Sequence, residues 1–172
     1  MGGEGEAMLI TQMSQQESRA LLAGLGYGKL ACARENHPYI VPIFFAYEDN
    51  RIFCFSTLGQ KIEWMRANPR VCVQADEVRS YMEWKSVIVL GRYEELPDDE
   101  PHRKTRSHAI TLLFSQRYRW WQGAYATDRL RGRAGEPIPV VFSVTIEEIT
   151  GHRAQPDPAE LADPPASGNP GK

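Results

Sequence analysis

The sequence predicts a mainly β protein, a six-stranded antiparallel barrel flanked by two or three helices. Three observations carry this expectation. Short runs rich in Val, Ile, Phe and Tyr recur between polar turns. Those turns are too short to hold a crossover helix, so successive strands run antiparallel. No strand–helix–strand rhythm of a parallel sheet is present, which leaves a barrel as the way to bury the strands.

Residues 1–7 are Gly- and Glu-rich and are expected to be disordered, the folded domain spans 8–153, and 154–172 is a Pro/Ala/Gly-rich tail with too little apolar area to offset its ordering entropy. Ser14-Gln15-Gln16-Glu17 reads as a capping box opening the first helix, whose stripe of Ala20, Leu21, Leu22 and Leu25 ends at Gly24 and Gly26. Three strands follow at 27–34, 39–47 and 51–56, separated by turns at 35–38 and 48–50. The second is apolar almost throughout and is expected to be buried on both faces. A short helix over 59–68 has Ile62 and Met65 on one face and is stopped by Asn68-Pro69. Strands at 71–75 and 86–96, a helix at 98–115 and a closing strand at 140–149 complete the domain.

The chain has 172 residues and a net charge of −2, which suits one globular domain and excludes collagen, a coiled coil and a small disulfide scaffold. No apolar run approaches the roughly 20 residues of a membrane span. The start is acidic rather than signal-like, and Cys32, Cys54 and Cys72 show no paired spacing, so a cytoplasmic protein with small core cysteines is expected. The four histidines form no ligand motif and no metal site is expected.

The segment most suggestive of chemistry is Phe55-Ser56-Thr57-Leu58-Gly59-Gln60-Lys61. A strand ends in two hydroxyls, a glycine follows, and a helix opens on Gln-Lys. Hydroxyl donors, free helix-start amides and a lysine suit a phosphate. The alternative is a plain helix start with a solvated lysine. Neither a P-loop nor a Gly-rich dinucleotide fingerprint is present.

Four pieces, in order, carry a resemblance: Gly28-Lys29-Leu30-Ala31 with Pro38 to Phe45; Phe55-Ser56-Thr57 with Gly59-Gln60-Lys61 and Asn68-Pro69-Arg70-Val71; Trp84 to Arg92; and Ile149-Thr150-Gly151-His152-Arg153. Over residues 14–153 the chain resembles the pyridoxamine 5′-phosphate oxidase-like, FMN-binding split-barrel family, near its nitroimidazole-resistance flavoprotein branch. The resemblance implies a split barrel and an FMN-dependent oxidoreductase. Ser56, Thr57, Gln60 and Lys61 would hold the FMN phosphate. Backbone atoms of Pro42, Ile43 and Phe44 would line the isoalloxazine edge, and Ser86 and Val87 would approach the cofactor across a homodimer interface. Where several relatives carry Arg or His, this chain has Gln60, which removes a positive charge; where they carry His, it has Phe55. The family's pyridoxine-phosphate motif is not recognisable, so vitamin B6 synthesis is not expected, and no catalytic side chain is singled out.

Between 101 and 133 eight Lys and Arg residues face one acid, Asp128, and aromatic residues interleave with them. A basic loop and solvated helix is the plain reading. The functional one is an anionic, planar partner such as NAD(P)H, with Trp84, Arg119, Trp120 and Trp121 as substrate or second-ligand candidates. This segment also favours an alternative cofactor, the deazaflavin coenzyme F420. A non-catalytic flavin or haem carrier is a further alternative. No nucleic-acid motif accompanies the basic stretch, so nucleic acid is not an expected partner.

Overall fold

The structure, a computed structural model, describes residues 7–115 and 139–157. Its elements in order are β1 (Met8–Met13), α1 (Gln15–Gly24), β2 (Tyr27–Arg34), β3 (His37–Phe44), β4 (Ala46–Glu48), β5 (Arg51–Ser56), α2 (Gln60–Ala67), β6 (Arg70–Val78), β7 (Trp84–Glu95), α3 (Arg103–Ser115) and β8 (Val140–Pro156).

All eight strands join one sheet in the order β3-β2-β6-β7-β8-β5-β4, with β1 on β8, and every pairing is antiparallel. The fold class is the expected one, a β sheet with three helices. The strand count rises from six to eight, and among the described residues the sheet does not close: β3 and β4 end the hydrogen-bonded path. β8 does most of the joining. It pairs with all of β7, with β5 along its first part and with β1 along its last, and it runs to Pro156, past the end expected at 149.

Local sequence accounts for the ends of the elements. Ser14 caps α1 by accepting the Glu17 amide at 3.2 Å, and the Glu17 carboxylate accepts the Ser14 amide at 2.8 Å. Glu35-Asn36 and Asp49-Asn50 all have positive φ, between 48° and 65°, as two-residue hairpin turns that follow the sheet twist require. Asn and Asp adopt this conformation at less cost than Glu. Glu35→Asn is therefore expected to stabilise the fold by about 0.5–1 kcal/mol, read as a higher urea midpoint at unchanged slope. The ion pair it removes, Glu35 to Arg34 at 3.6 Å, is exposed and contributes little.

The interior of the sheet holds the main core. Leu30, Val73, Val87, Val89, Ile52 and Phe142 are buried there, with Leu22 from α1 and Ile62 and Met65 from α2. A second cluster lies on the opposite face of β4, β5 and β8, where Ala109 and Leu113 of α3 cover Phe53, Val141 and Ala46. The rest of that outer face carries no helix among the described residues.

This bare face corrects the expectation for 39–47. The run breaks at Phe45 into two strands, and β3 is an edge strand buried on one side only: Ile43 points inward while Ile40 is 65% exposed. The helix expected at 98–115 begins at Arg103, after turns in which the His102 and Arg103 amides donate to the Asp99 carbonyl and the His102 amide also to the Asp99 carboxylate.

Candidate functional site

β5 leads into the hydroxyl pair and α2 begins three residues later, so chain order alone brings Ser56, Thr57, Gln60 and Lys61 to one corner. Ser56 is buried and its Oγ donates to the Thr57 carbonyl at 3.0 Å. Thr57 is half-buried and Gln60 exposed. Gly59 precedes the helix with no side-chain cap, and the first intrahelical bonds run from the Ile62 and Glu63 amides to the Gly59 carbonyl. The amides of Gln60 and Lys61 thus stand as donors at the positive end of the helix.

Packing explains how α2 is held there. Ile62 and Met65 are fully buried, Trp64 packs on Tyr39 of β3 with ring centroids 5.6 Å apart, and Asn68 Nδ2 donates to the Ala33 carbonyl of β2 at 3.0 Å. The helix therefore bridges the gap between the β2–β3 hairpin and β5 where the sheet stays open. Its far end is clamped to β7. The Arg66 guanidinium donates to both Glu95 carboxylate oxygens at 2.8 Å, and the Tyr93 hydroxyl donates to the same carboxylate at 3.1 Å. No local motif in the sequence marks this clamp, because Arg66 and Glu95 lie 29 residues apart. Only the spacing of Tyr93 and Glu95, two apart on one strand face, was available as a signal.

Lys61 carries most of the electrostatic interest. It is half-buried, close enough to the buried Cys32 and Cys54 thiols to feel their charge states, and has no ion pair or side-chain hydrogen bond among the described residues. Burial pushes its ammonium below the ordinary lysine value of 10.5. A cation held partly out of water with no counter-charge is costly unless a ligand supplies one. The Thr57 hydroxyl, the first-turn amides and the Lys61 ammonium fit a phosphate group, whereas the Ser56 hydroxyl spends its one hydrogen on the Thr57 carbonyl.

The other expected residues divide between the two sheet faces. Pro42 and Phe44 lie on the outer face of the edge strand β3, with Phe44 packed on Tyr27 at 4.9 Å, whereas Ile43 points into the core. Ser86 shares that outer face and its hydroxyl accepts from Gln74 Nε2 at 3.2 Å; Val87 is fully buried. Two strands separate β3 from β7, so Pro42 stands three strand spacings, roughly 14 Å along the sheet, from its row-mate Ile88, and Ser86 lies two residues further along β7. A single protomer does not bring Pro42 and Ser86 together around one ring. Between them an ion pair joins Lys29 to Asp76 at 3.1 Å, with Gln74 donating to the same carboxylate oxygen at 2.6 Å. The Gln74 bond and then the Lys29 ammonium hold the Asp76 carboxyl below its ordinary value. Trp84 starts β7 and lines a cleft of about 230 Å³ with Arg79, Lys85 and Arg153, away from the Lys61 corner. Arg119, Trp120 and Trp121 lie outside the described residues. Among the described residues no three His, Cys, Asp or Glu side chains gather as a metal would need, and no helix is long and apolar enough to cross a membrane.

Comparison with known proteins matches these features to a family. The family model described as pyridoxamine 5′-phosphate oxidase matches residues 14–153. The chain belongs to this family. The pyridoxamine 5′-phosphate oxidase family match spans all the described strands except β1 and the end of β8. An uncharacterised protein of Rhizobium meliloti is 40% identical over 147 residues, covering 86% of this chain and 97% of that one. The crystal structure of an FAD-binding protein from Mesorhizobium loti is 42% identical, with a TM-score of 0.70 over 87% of this chain and 99% of the other. A candidate 5-nitroimidazole antibiotic resistance protein from Bacteroides thetaiotaomicron shares the fold at 19% identity, with a TM-score of 0.64 over 90% of this chain and 95% of that one.

Proposed function

We propose that this member of the pyridoxamine 5′-phosphate oxidase family binds a flavin nucleotide and works as an oxidoreductase on a small molecule, with the flavin seated between two copies of the chain. The observation that carries the reading is the half-buried Lys61, unpaired among the described residues, beside the open start of α2. The 42% identity to a protein that binds FAD supports a flavin over other phosphate-bearing ligands.

In this reading Thr57, the Gln60 and Lys61 amides and the Lys61 ammonium hold the phosphate next to the ribityl chain. The free edge of β3 at Pro42, Ile43 and Phe44 meets the ring. Ser86 of the second copy approaches from the other side with the Val87 backbone beside it, the Val87 side chain being turned into the core, which removes the separation found within one protomer. The bound flavin supplies the electron chemistry, and the protein supplies binding, orientation and exclusion of water. A single phosphate grip matches FMN. The second reading is FAD, which contains the same phosphate and is favoured by the Mesorhizobium loti relative.

Titrating the purified protein with FMN and FAD in parallel tests both readings, with the deazaflavin as a third ligand. Flavin fluorescence is expected to be quenched at micromolar concentrations, and anaerobic NAD(P)H to bleach the bound flavin. No binding of either flavin would end the flavin reading. Binding without bleaching by any pyridine nucleotide would leave a carrier rather than an NAD(P)H-dependent enzyme.

A further inference from the structure

The outer face of β3, β2, β6, β7 and the second half of β8 is bare among the described residues, and its middle is apolar. Ile40, Ala31, Cys72 and Leu90 follow one another across four strands in register, with Ile88 in the next row. Ile40, Leu90 and Ile88 are 65%, 45% and 39% exposed. Single exposed apolar residues need no explanation, but a continuous row across four strands does.

Charge is arranged around this row in a definite way. Arg70 and Arg92 are register partners on β6 and β7, both exposed, two positions along from Cys72 and Leu90. Like charges directly opposite on neighbouring strands repel. Neither guanidinium has an ion pair or side-chain hydrogen bond among the described residues, while Arg51, Arg66 and Arg79 each pair with a carboxylate at 3.8 Å or less. On the next strand Glu148 faces Leu90 in register, is exposed and is equally without a partner. Among the described residues, two unmatched cations and one unmatched anion thus flank Leu90 on one face without reaching each other.

We infer that this face is keyed for a second copy of the chain, with Arg92 and Arg70 of one protomer meeting Glu148 of the other. The inference rests on the homodimer proposed above and names the residues that set its register. A two-fold contact is self-complementary: an axis passing near Leu90 carries the arginine side of one copy over the glutamate side of its mate, twice. The apolar row supplies the dry centre, and the charge pairs fix the angle and reject displaced registers.

Charge reversal tests the assignment. Arg92→Glu and Glu148→Arg each place like charges at both symmetric contacts. Each variant alone is expected to sediment as a monomer at concentrations where the unaltered chain is dimeric. An equimolar mixture of the two is expected to form a heterodimer, since every contact again joins opposite charges. Recombination also shows that both variants are folded. The neutral variant Glu148→Gln is expected to raise the dimer dissociation constant about tenfold and to reduce its dependence on salt. If the unaltered chain is monomeric at every concentration, the homodimer reading fails and the key with it. If it is dimeric and the reversals stay dimeric, or the mixture does not recombine, the key is overturned while the dimer stands.

Discussion

Lys61→Met is expected to weaken flavin binding by about 1.5–3 kcal/mol, roughly tenfold to over a hundredfold in dissociation constant, the scale of a hydrogen bond to a charged group. The same change is expected to stabilise the flavin-free protein by about 0.5–2 kcal/mol, because it replaces a half-buried, unpaired ammonium with an apolar side chain of similar length. These opposite signs separate a binding residue from a packing residue, which would lose stability and affinity together. The pH dependence follows from the direction of the lysine shift. Burial depresses the folded-state value below 10.5, so the unfolded chain holds more protons in the interval between the two values. Stability of the unaltered protein therefore rises through that interval, and the advantage of Lys61→Met shrinks there and is constant below it. Thermal melts of both proteins from neutral to alkaline pH, with and without flavin, read all of this. An affinity unchanged by the substitution would remove Lys61 from the phosphate site.

Phe142→Ala is expected to cost about 3–5 kcal/mol of folding stability, a large share of the 5–15 kcal/mol typical of a domain. Phe142 is fully buried on β8 and packs on the Tyr93 ring with centroids 5.3 Å apart. Tyr93 in turn donates to Glu95, and Glu95 holds Arg66 at the end of α2. The cavity therefore opens beneath the clamp that seats the helix bearing Lys61. Chemical denaturation should show the loss as a lower midpoint. Phe142→Leu, which keeps more of the volume, should recover a good part of it. A loss under 1 kcal/mol for the alanine variant would mean that β8 is not the centre of the core.

Much of the fold was legible because the relevant forces act over a few residues. The Ser14–Glu17 capping box, the turns expected at 35–38 and 48–50, which tighten to 35–36 and 49–50, and the helix stopped by Asn68-Pro69 each depend on neighbours within one turn of chain. The Ser56–Lys61 corner was legible for the same reason, since a strand end and a helix start lie side by side in the sequence. The strand at Met8–Met13 was not. Its burial follows no alternation, and it exists because it pairs with residues 151–156, over 130 positions away. The length of β8 was hidden for the mirror-image reason, because its tail lacks an apolar pattern and is held by that same partner.

The strand at 39–47 shows the limit most clearly. An apolar run records that both faces of a segment avoid water, not what covers each face. Tertiary structure decided that β3 lies at an edge, that one face meets the core and that the other stays open in a single copy. Composition, caps, turns and the meeting of a strand end with a helix start at Ser56–Lys61 were determined by the sequence itself, through short-range hydrogen bonding and backbone sterics. Strand order, the break in the sheet bridged by α2, the Arg66–Glu95 clamp and the placing of unmatched charges beside Leu90 were decided only when distant segments met, because the free energy that selects them comes from contacts no local window contains.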